Sequence, residues 1–471
     1  MIKKSYRERE LEILRQAVDN VTEKTGRRVV KSPEIQNIIK IVEDFLKQTH
    51  CICYGGTAIN NILPEQDQFY NKDIEIPDYD FFSPKALVHA KQLADIYYKN
   101  GYKEVEAKAG VHYGTFKVFV NYIPVADITQ IDARIFGAIK REAILVNGIR
   151  YCPPDYLRMG MYLELSRPDG DVSRWEKVLK RLILLNKNFP LKGIDCNTEA
   201  FMRDFEGDPD TQNNIYNIVK TSFIDQGLVF FGGYASSLYG KYMPIRERKH
   251  LQAIPDFDLL SEDPLKSCTI AKEQLERAGI NKVKIIQHNA IGEIIPEHYE
   301  LRVDADTIAF VYRPEACHSY NTIDLDNKTV RVATIDTILS FYLAFIYADK
   351  PYFNKNRLLC MSEYLFKVQA RNRLQQKGLL KRFSITCYGE QKTLETMRAE
   401  KSELYKRLSN DKNSQEYQNY FLRYIPSSVP KKPSKKDTSR KSNTRRKSTT
   451  IKKSTTRKKS TTRRKSRKIR N

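Results

Sequence analysis

Three aspartates and a pair of glycines are the residues in this sequence best placed to do chemistry. Asp78 and Asp80 flank Tyr79 in "IPDYDFFS", a segment of strand character, so both carboxylates project from one face of a sheet. Like charges so placed repel, and a sheet gains nothing from the pair unless a cation sits beside it; the alternative is a solvated polar face. A third carboxylate, Asp127, interrupts the second apolar strand of "GTFKVFVNYIPVADITQI", which reads as a hairpin. An aspartate inside a buried strand is costly unless it is paired or bound to metal. Upstream of these, "CYGGTAINNIL" places Gly55, Gly56 and Thr57 where a short apolar strand gives way to a helix. Glycine there lets backbone approach a ligand and exposes N–H groups at a helix N-terminus, where anions are favoured, although a double glycine alone also suits an ordinary tight turn. Three carboxylates beside an anion-binding turn would make a site for two magnesium ions and a nucleoside triphosphate. That reading requires the side chains at 78, 80 and 127 to converge.

The elements that must position these residues occur twice. Before the first glycine pair, "SPEIQNIIKIVEDFLKQT" offers Ser32 as a cap, Pro33 at a first helical position, and Ile35, Ile38, Ile39, Val42, Phe45 and Leu46 along one face. "HCICY" then reads as a short buried strand. Before a second pair, Gly232 and Gly233, "DPDTQNNIYNIVKTSFIDQGLVFFGG" has the same order of turn, helix and strand. Superposing Gly55 on Gly232 also aligns Asn37 with Asn214, Ile38 with Ile215, Val42 with Val219 and Ala58 with Ala235. "IPDYDFFS" matches "IPDFDLLS", and later each copy has a strand, a turn with Asp155 or Asp336, and an apolar helix. The chain carries a duplicated structural unit.

A G-G-[ST] turn, a [DE]-x-[DE] pair and a single later aspartate on a strand resemble the signature of the polymerase-beta-like nucleotidyltransferases. The wording around them, "CYGGTAIN", "IPDYDFFS", "VADIT" and "YLELSRPDGDVSRWEKVLKRL", is similar to the catalytic subunit of the poly(A) polymerases of poxviruses and giant DNA viruses, on the mimivirus-like side, over most of residues 30 to 390. The resemblance implies transfer of AMP from ATP onto an RNA 3′ end with release of pyrophosphate. It implies that Asp78, Asp80 and Asp127 hold two Mg2+ or Mn2+ ions and that Gly55, Gly56 and Thr57 hold the β and γ phosphates. Arg167, Arg174 and Lys177, in "SRPDGDVSRWEK", are candidate triphosphate contacts, against the alternative of a solvated basic helix face. Trp175, the only tryptophan, reads as a packing residue. The resemblance further implies action in the host cytoplasm at a viral factory, with packaging in the virion, and leaves a homodimer or a processivity partner open. Uridylyl-adding, CCA-adding and second-messenger enzymes would keep the same catalytic residues, and a non-catalytic RNA-binding scaffold is the reading of a different class.

In the second copy Asp256 and Asp258 repeat the carboxylate pair, but Tyr234 stands where Thr57 does. If "HYELRVDADTIAFVYRP" is the matching hairpin, Phe310 replaces Asp127. A two-metal site without its third ligand should activate no hydroxyl, so the second unit is expected to be degenerate.

The formal net charge of +24 is concentrated at one end. Residues 430–471 hold 20 of the 81 Lys and Arg but one acid, Asp437, leaving 61 basic against 56 acidic residues in the preceding 429. "RRKSTT", "IKKSTT", "RKKSTT" and "RRKSRK" succeed one another there, and with so few apolar residues the tail is expected to be disordered. It reads as a polyanion tether, a nuclear address or a solubilising tail. No apolar run is long enough to span a membrane, and no membrane partner is expected. Eight cysteines without a C-x-x-C pair read as free thiols, mostly buried. The expected architecture is α+β: a helical lead over 1–48, a catalytic nucleotidyltransferase unit over 49–195, a second, degenerate unit over 196–392, a charged helical segment over 393–429 and the tail over 430–471.

Overall fold

Two helices lead into the first sheet. The structure, a computed structural model, describes residues 6–196, 208–248 and 256–427, so the tail over 430–471 lies outside the described residues. Helices α1 (Tyr6–Val30) and α2 (Pro33–Thr49) meet at Ser32, whose side chain accepts from the Ile35 N–H while Pro33 occupies the first turn. The face that α2 buries is Ile35, Ile38, Ile41, Val42, Phe45 and Leu46. Ile41 is buried where the sequence pointed to Ile39, and Ile39 is left partly buried at the margin.

The first unit continues as β1 (Ile52–Cys53), α3 (Gly55–Ile62), β2 (Tyr79–Ser83), α4 (Ala86–Lys99), β3 (Val105–Ala109), β4 (Thr115–Val120) and β5 (Ile123–Gln130). It then runs through α5 (Ala133–Glu142), β6 (Ile144–Val146), β7 (Ile149–Tyr151), α6 (Pro154–Leu165) and α7 (Trp175–Asn188). The second unit repeats the plan: α8 (Pro209–Asp225), β8 (Val229–Phe230), α9 (Gly233–Tyr239), α10 (Ile245–Arg248), β9 (Phe257–Leu260), α11 (Pro264–Arg277), β10 (Val283–His288), β11 (His298–Val303) and β12 (Asp306–Tyr312). After these come β13 (His318–Leu325), β14 (Lys328–Ala333), α12 (Ile335–Ile346), α13 (Lys355–Arg371) and β15 (Cys387–Tyr388). The chain closes with α14 (Leu394–Leu408), α15 (Gln415–Phe421) and β16 (Arg423–Tyr424).

Strand order makes the duplication explicit. The first sheet runs β16-β3-β4-β5-β2-β1-β7-β6 and the second β10-β11-β12-β9-β8-β14-β13-β15. Without β16 and β15 the seven remaining strands correspond one to one. In both sheets the short strand before the glycines is antiparallel to the carboxylate strand and parallel to the strand that precedes the apolar helix. The additions sit on opposite edges: β16 extends β3, so the segment after residue 393 ends by adding a strand to the first sheet, whereas β15 extends β13. Strand β4 alternates, with Phe116, Val118 and Val120 buried, while β2 and β12 hold consecutive buried residues. The two apolar helices, α6 and α12, pack against each other, so the fold is an α+β pair of mixed sheets joined through equivalent helices.

Buried charge at that junction is paired. Asp336 takes a bidentate contact from Arg382, with Nη2 at 2.8 Å and Nε at 2.9 Å, and a further bond from Gln369 at 3.0 Å. Arg158, almost fully buried, meets Asp155, the Asn186 side chain and the Phe189 carbonyl. The cysteines need a correction: Cys196 is disulfide-bonded to Cys360 and Cys317 to Cys387, while Cys51, Cys53, Cys152 and Cys268 are buried free thiols. The partners lie 164 and 70 residues apart, a proximity that only the folded chain creates.

Candidate active site

The glycine turn is built tightly against the carboxylates. Gly55 has φ +72°, in the left-handed region, and a Cβ there would stand 2.6 Å from Asp80 Oδ2. A Cβ on Gly56 would stand 2.5 Å from the Tyr70 hydroxyl and 2.9 Å from Arg181 Nη1. Conformation and space together exclude a side chain at Gly55, whereas at Gly56 the tips of Tyr70 and Arg181 would have to shift to admit one. Thr57 is buried and its hydroxyl donates to the Asp78 carbonyl at 2.6 Å. Its side chain ties helix α3 to the start of the carboxylate strand.

Strand register brings the aspartates together. Asp80 in β2 is directly opposite Asp127 in the parallel neighbour β5, and Asp78 lies two residues back on the same face. Burial, then Asp78, then Asp127 push the Asp80 carboxyl up to about 7; burial and Asp127 also raise Asp78. The three groups thus lie within electrostatic reach of one another. Among the described residues, however, no choice of one oxygen from each brings all three within 4.8 Å of one another, so their convergence is looser than the sequence suggested. Lys117, opposite Asp127 on β4, pairs its ammonium with Asp127 Oδ2 and offsets part of the repulsion among the three carboxylates. Asp127 Oδ1 is buried without a hydrogen-bond partner. A buried orphan oxygen, two destabilised carboxylates and an all-oxygen donor set fit hard divalent cations such as Mg2+ or Mn2+.

Positive charge approaches from α7. Arg181 stacks over Phe69 and Tyr70, with its guanidinium carbon 4.8 and 5.4 Å from the ring centroids, and donates to the Tyr70 hydroxyl at 2.6 Å. With Lys177 and Lys180 it lines an open cleft of about 440 Å³ beside Gly56. Arg174 pairs with Glu164 at 3.1 Å and is close enough to Asp80 to favour its charged form. Arg167 points elsewhere: it is largely buried at the junction with the second unit, near Glu315 and Glu164, and burial lowers its pKa. Trp175 donates from Nε1 to the Glu164 carbonyl at 2.9 Å and packs on Phe383. Lys117 and Lys180 escaped sequence reasoning, and so did Arg181. Its signal was present, since 174, 177 and 181 fall on one helical face.

The corresponding place in the second unit is filled. Phe310 is opposite Asp258 in the register where Asp127 faces Asp80. Arg357 reaches Asp256 at 3.1 Å, and the remaining hollow is about 30 Å³, walled by Phe310, Tyr342, Tyr352 and Phe353. Tyr234 is buried edge-on against Phe230 and Phe257.

The site is thus a paired-glycine turn feeding a helix beside carboxylates on two parallel strands, and known proteins resemble the chain that carries it. Residues 40–171 match the family described as poly(A) polymerase catalytic subunit. Over 195 residues the chain is 29% identical to the putative poly(A) polymerase catalytic subunit of Acanthamoeba polyphaga mimivirus, covering 41% of this chain and 32% of that protein. Over 185 residues it is 31% identical to the protein of the same description from African swine fever virus, covering 38% of each. The matches thus span about a third of the length of these curated relatives. The fold is shared much more widely: the crystal structure of the Megavirus polyadenylate synthase superposes with a TM-score of 0.75 over 90% of this chain and 87% of that one, at 21% identity.

Proposed function

We propose that this chain is a template-independent polynucleotide adenylyltransferase that adds AMP from ATP to RNA 3′ ends. The observation that carries the reading is the register of β2 and β5, which sets Asp80 opposite Asp127 beside Gly55, held at φ +72° where a side chain would strike Asp80. The family match over residues 40–171 covers all of these residues. In the reaction the RNA 3′-hydroxyl loses its proton, its oxygen bonds to the α-phosphorus, the bond from that phosphorus to the bridging oxygen breaks, and pyrophosphate leaves. Asp78, Asp80 and Asp127 would hold two Mg2+ or Mn2+ ions, which supply acidification of the hydroxyl and charge neutralisation at the leaving oxygen. Gly55 and Gly56 leave room for phosphate against the backbone of α3, and Arg181, Lys177 and Lys180 bring compensating charge. Lys117 holds Asp127 in place from the neighbouring strand. Thr57 acts through its bond to the Asp78 carbonyl, positioning the strand.

The second unit we read as non-catalytic, because Arg357 and Phe310 occupy the space that a second cation site would need. The basic tail serves as an RNA tether, and likeness to viral enzymes supports a place at the viral factory in the host cytoplasm and packaging in the virion. The test is extension of an oligoribonucleotide with each nucleoside triphosphate in turn. A ladder with ATP is expected, lost by at least about a hundredfold in Asp78→Ala with Asp80→Ala while RNA binding persists. A ladder with UTP or CTP alone would favour a different terminal transferase, and unchanged RNA binding with no extension by the native protein would favour a scaffold.

A further inference from the structure

A second hollow beside the carboxylates adjoins the basic cleft. It is a separate cavity of about 350 Å³ bounded by α2, α3, the loop before β2 and the β6–β7 turn, and both Asp78 and Thr57 line it. That volume lies within the range of sites for small ligands, about 300–1,000 Å³. We propose that this cavity receives the terminal base of the RNA strand, so that the sugar it carries presents its 3′-hydroxyl beside Asp78; the inference rests on the function proposed above and names a substrate subsite for it.

Three features of the lining point to a base. Flat and branched apolar surfaces, Tyr70, Ile39 and Ile76, face a space that carboxamides also line, which is the combination that splayed single-stranded bases meet in proteins. The amides are pre-set: Gln36 donates its nitrogen to the Val30 carbonyl at 2.8 Å, and Asn61 donates its nitrogen to the Tyr151 hydroxyl at 2.9 Å. Asn61 Oδ1 also accepts from Asn60 Nδ2 at 3.4 Å, so Gln36 supplies the reading atom, a carbonyl oxygen suited to the exocyclic amino group of adenine and not to the carbonyl of uracil at the same place. The Tyr70 wall is also fixed, since Asn60 Oδ1 accepts from the backbone N–H of both Phe69 and Tyr70 at 2.8 Å.

Charge decides between the strand and the incoming nucleotide. Tyr70 borders both compartments. Lys177, Lys180 and Arg181 outnumber Glu176 in the cleft, Glu43 and Asp78 outnumber Lys72 in the hollow, and Glu75 borders both. A triphosphate is drawn to the first and repelled by the second. The terminal nucleoside of a strand carries a single phosphodiester on its 5′ side and none at its 3′ side, so it can enter the acidic compartment at small electrostatic cost. The two substrates are thus sorted by charge on either side of one aromatic ring, with Asp78 on the wall of the strand's compartment.

The experiment measures KM for ATP and, separately, for oligoribonucleotides ending in A or in U, with the full chain and with two variants. Ile39→Trp fills the hollow; Gln36→Leu, at an exposed position of α2, removes an acceptor with little change of volume and remains informative if the bulky variant does not fold. The native protein should favour the A-ended strand by several-fold, Ile39→Trp should raise KM for both strands about tenfold or more, and Gln36→Leu should bring the two strands towards parity, all with KM for ATP within about twofold. If strand KM is unmoved in the variants, or if KM for ATP rises in its place, the subsite assignment is wrong while the adenylyltransferase reading stands. Failure of the native protein to extend any strand would instead remove the function itself, and the subsite with it.

Discussion

Replacing Gly55 by alanine should lower activity about a hundredfold while costing about 1–2 kcal/mol of stability. The new Cβ would lie 2.6 Å from Asp80 Oδ2, 0.8 Å short of the 3.4 Å at which ordinary contact begins, so the carboxylate must move by most of an ångström. A misplacement of that size in a catalytic constellation costs on the order of a hundredfold. The backbone adds its own penalty, because alanine at φ +72° loses about 1–2 kcal/mol against glycine. Gly232→Ala is the internal control. Its Cβ would also collide with a carboxylate, Asp258, but the backbone there has φ −74° and the carboxylate belongs to the unit read as inactive. Steady-state extension of an oligoribonucleotide, with thermal unfolding of each variant, separates the cases. Gly55→Ala should lose about a hundredfold in kcat while remaining folded at assay temperature, and Gly232→Ala should lose stability but keep kcat within about threefold. A folded Gly55→Ala protein with near-native kcat would refute the argument for the turn, and a folded Gly232→Ala protein without activity would refute the assignment of the second unit.

Arg181→Ala should raise KM for ATP about tenfold and leave strand KM near native, since the guanidinium stands over the first glycine turn and not in the acidic hollow; titration with each substrate checks it. Stability should fall in mild acid: burial holds His298 down at about 4 and His318 at about 3, so the unfolded chain takes up protons near pH 6.5 that the folded chain refuses. Their contribution is complete above about pH 6.5 and is lost progressively as pH falls towards 4, and His298→Phe should flatten that part of the unfolding-temperature profile. Truncation after residue 429 should shorten products more at low salt than at high, because the 19 net positive charges it removes grip phosphate most strongly where salt is scarce; products as long as the full chain's under both conditions would take the tail out of the mechanism.

Much of this arrangement was legible in the chain because its signals are local. The glycine pair, the alternating strand around Asp80 and the hairpin carrying Asp127 each rest on a few adjacent residues, and the repeat showed that the same set is built twice. The alignment of Phe310 with Asp127 needed only a hairpin and a count. What stayed hidden depends on residues distant in sequence. Lys117 faces Asp127 because β4 and β5 pair, and its ammonium holds the carboxylate that the sequence placed among the metal ligands. Arg357 reaches Asp256 across 101 residues, and the disulfides join positions that no spacing relates. Arg167 looked like its neighbours Arg174 and Lys177 in composition, yet it precedes α7 and turns towards Glu315, so helical periodicity does not extend to it. The strands β15 and β16 are two residues each and are set by the edges they cover.

The account depends most directly on where divalent cations and triphosphate bind. Crystals soaked with Mn2+ and a non-hydrolysable ATP analogue, read by anomalous scattering, should show manganese among Asp78, Asp80 and Asp127 with the triphosphate at Gly55 and Gly56. Manganese at Asp256 and Asp258, or none at the first trio with the nucleotide bound, would contradict it.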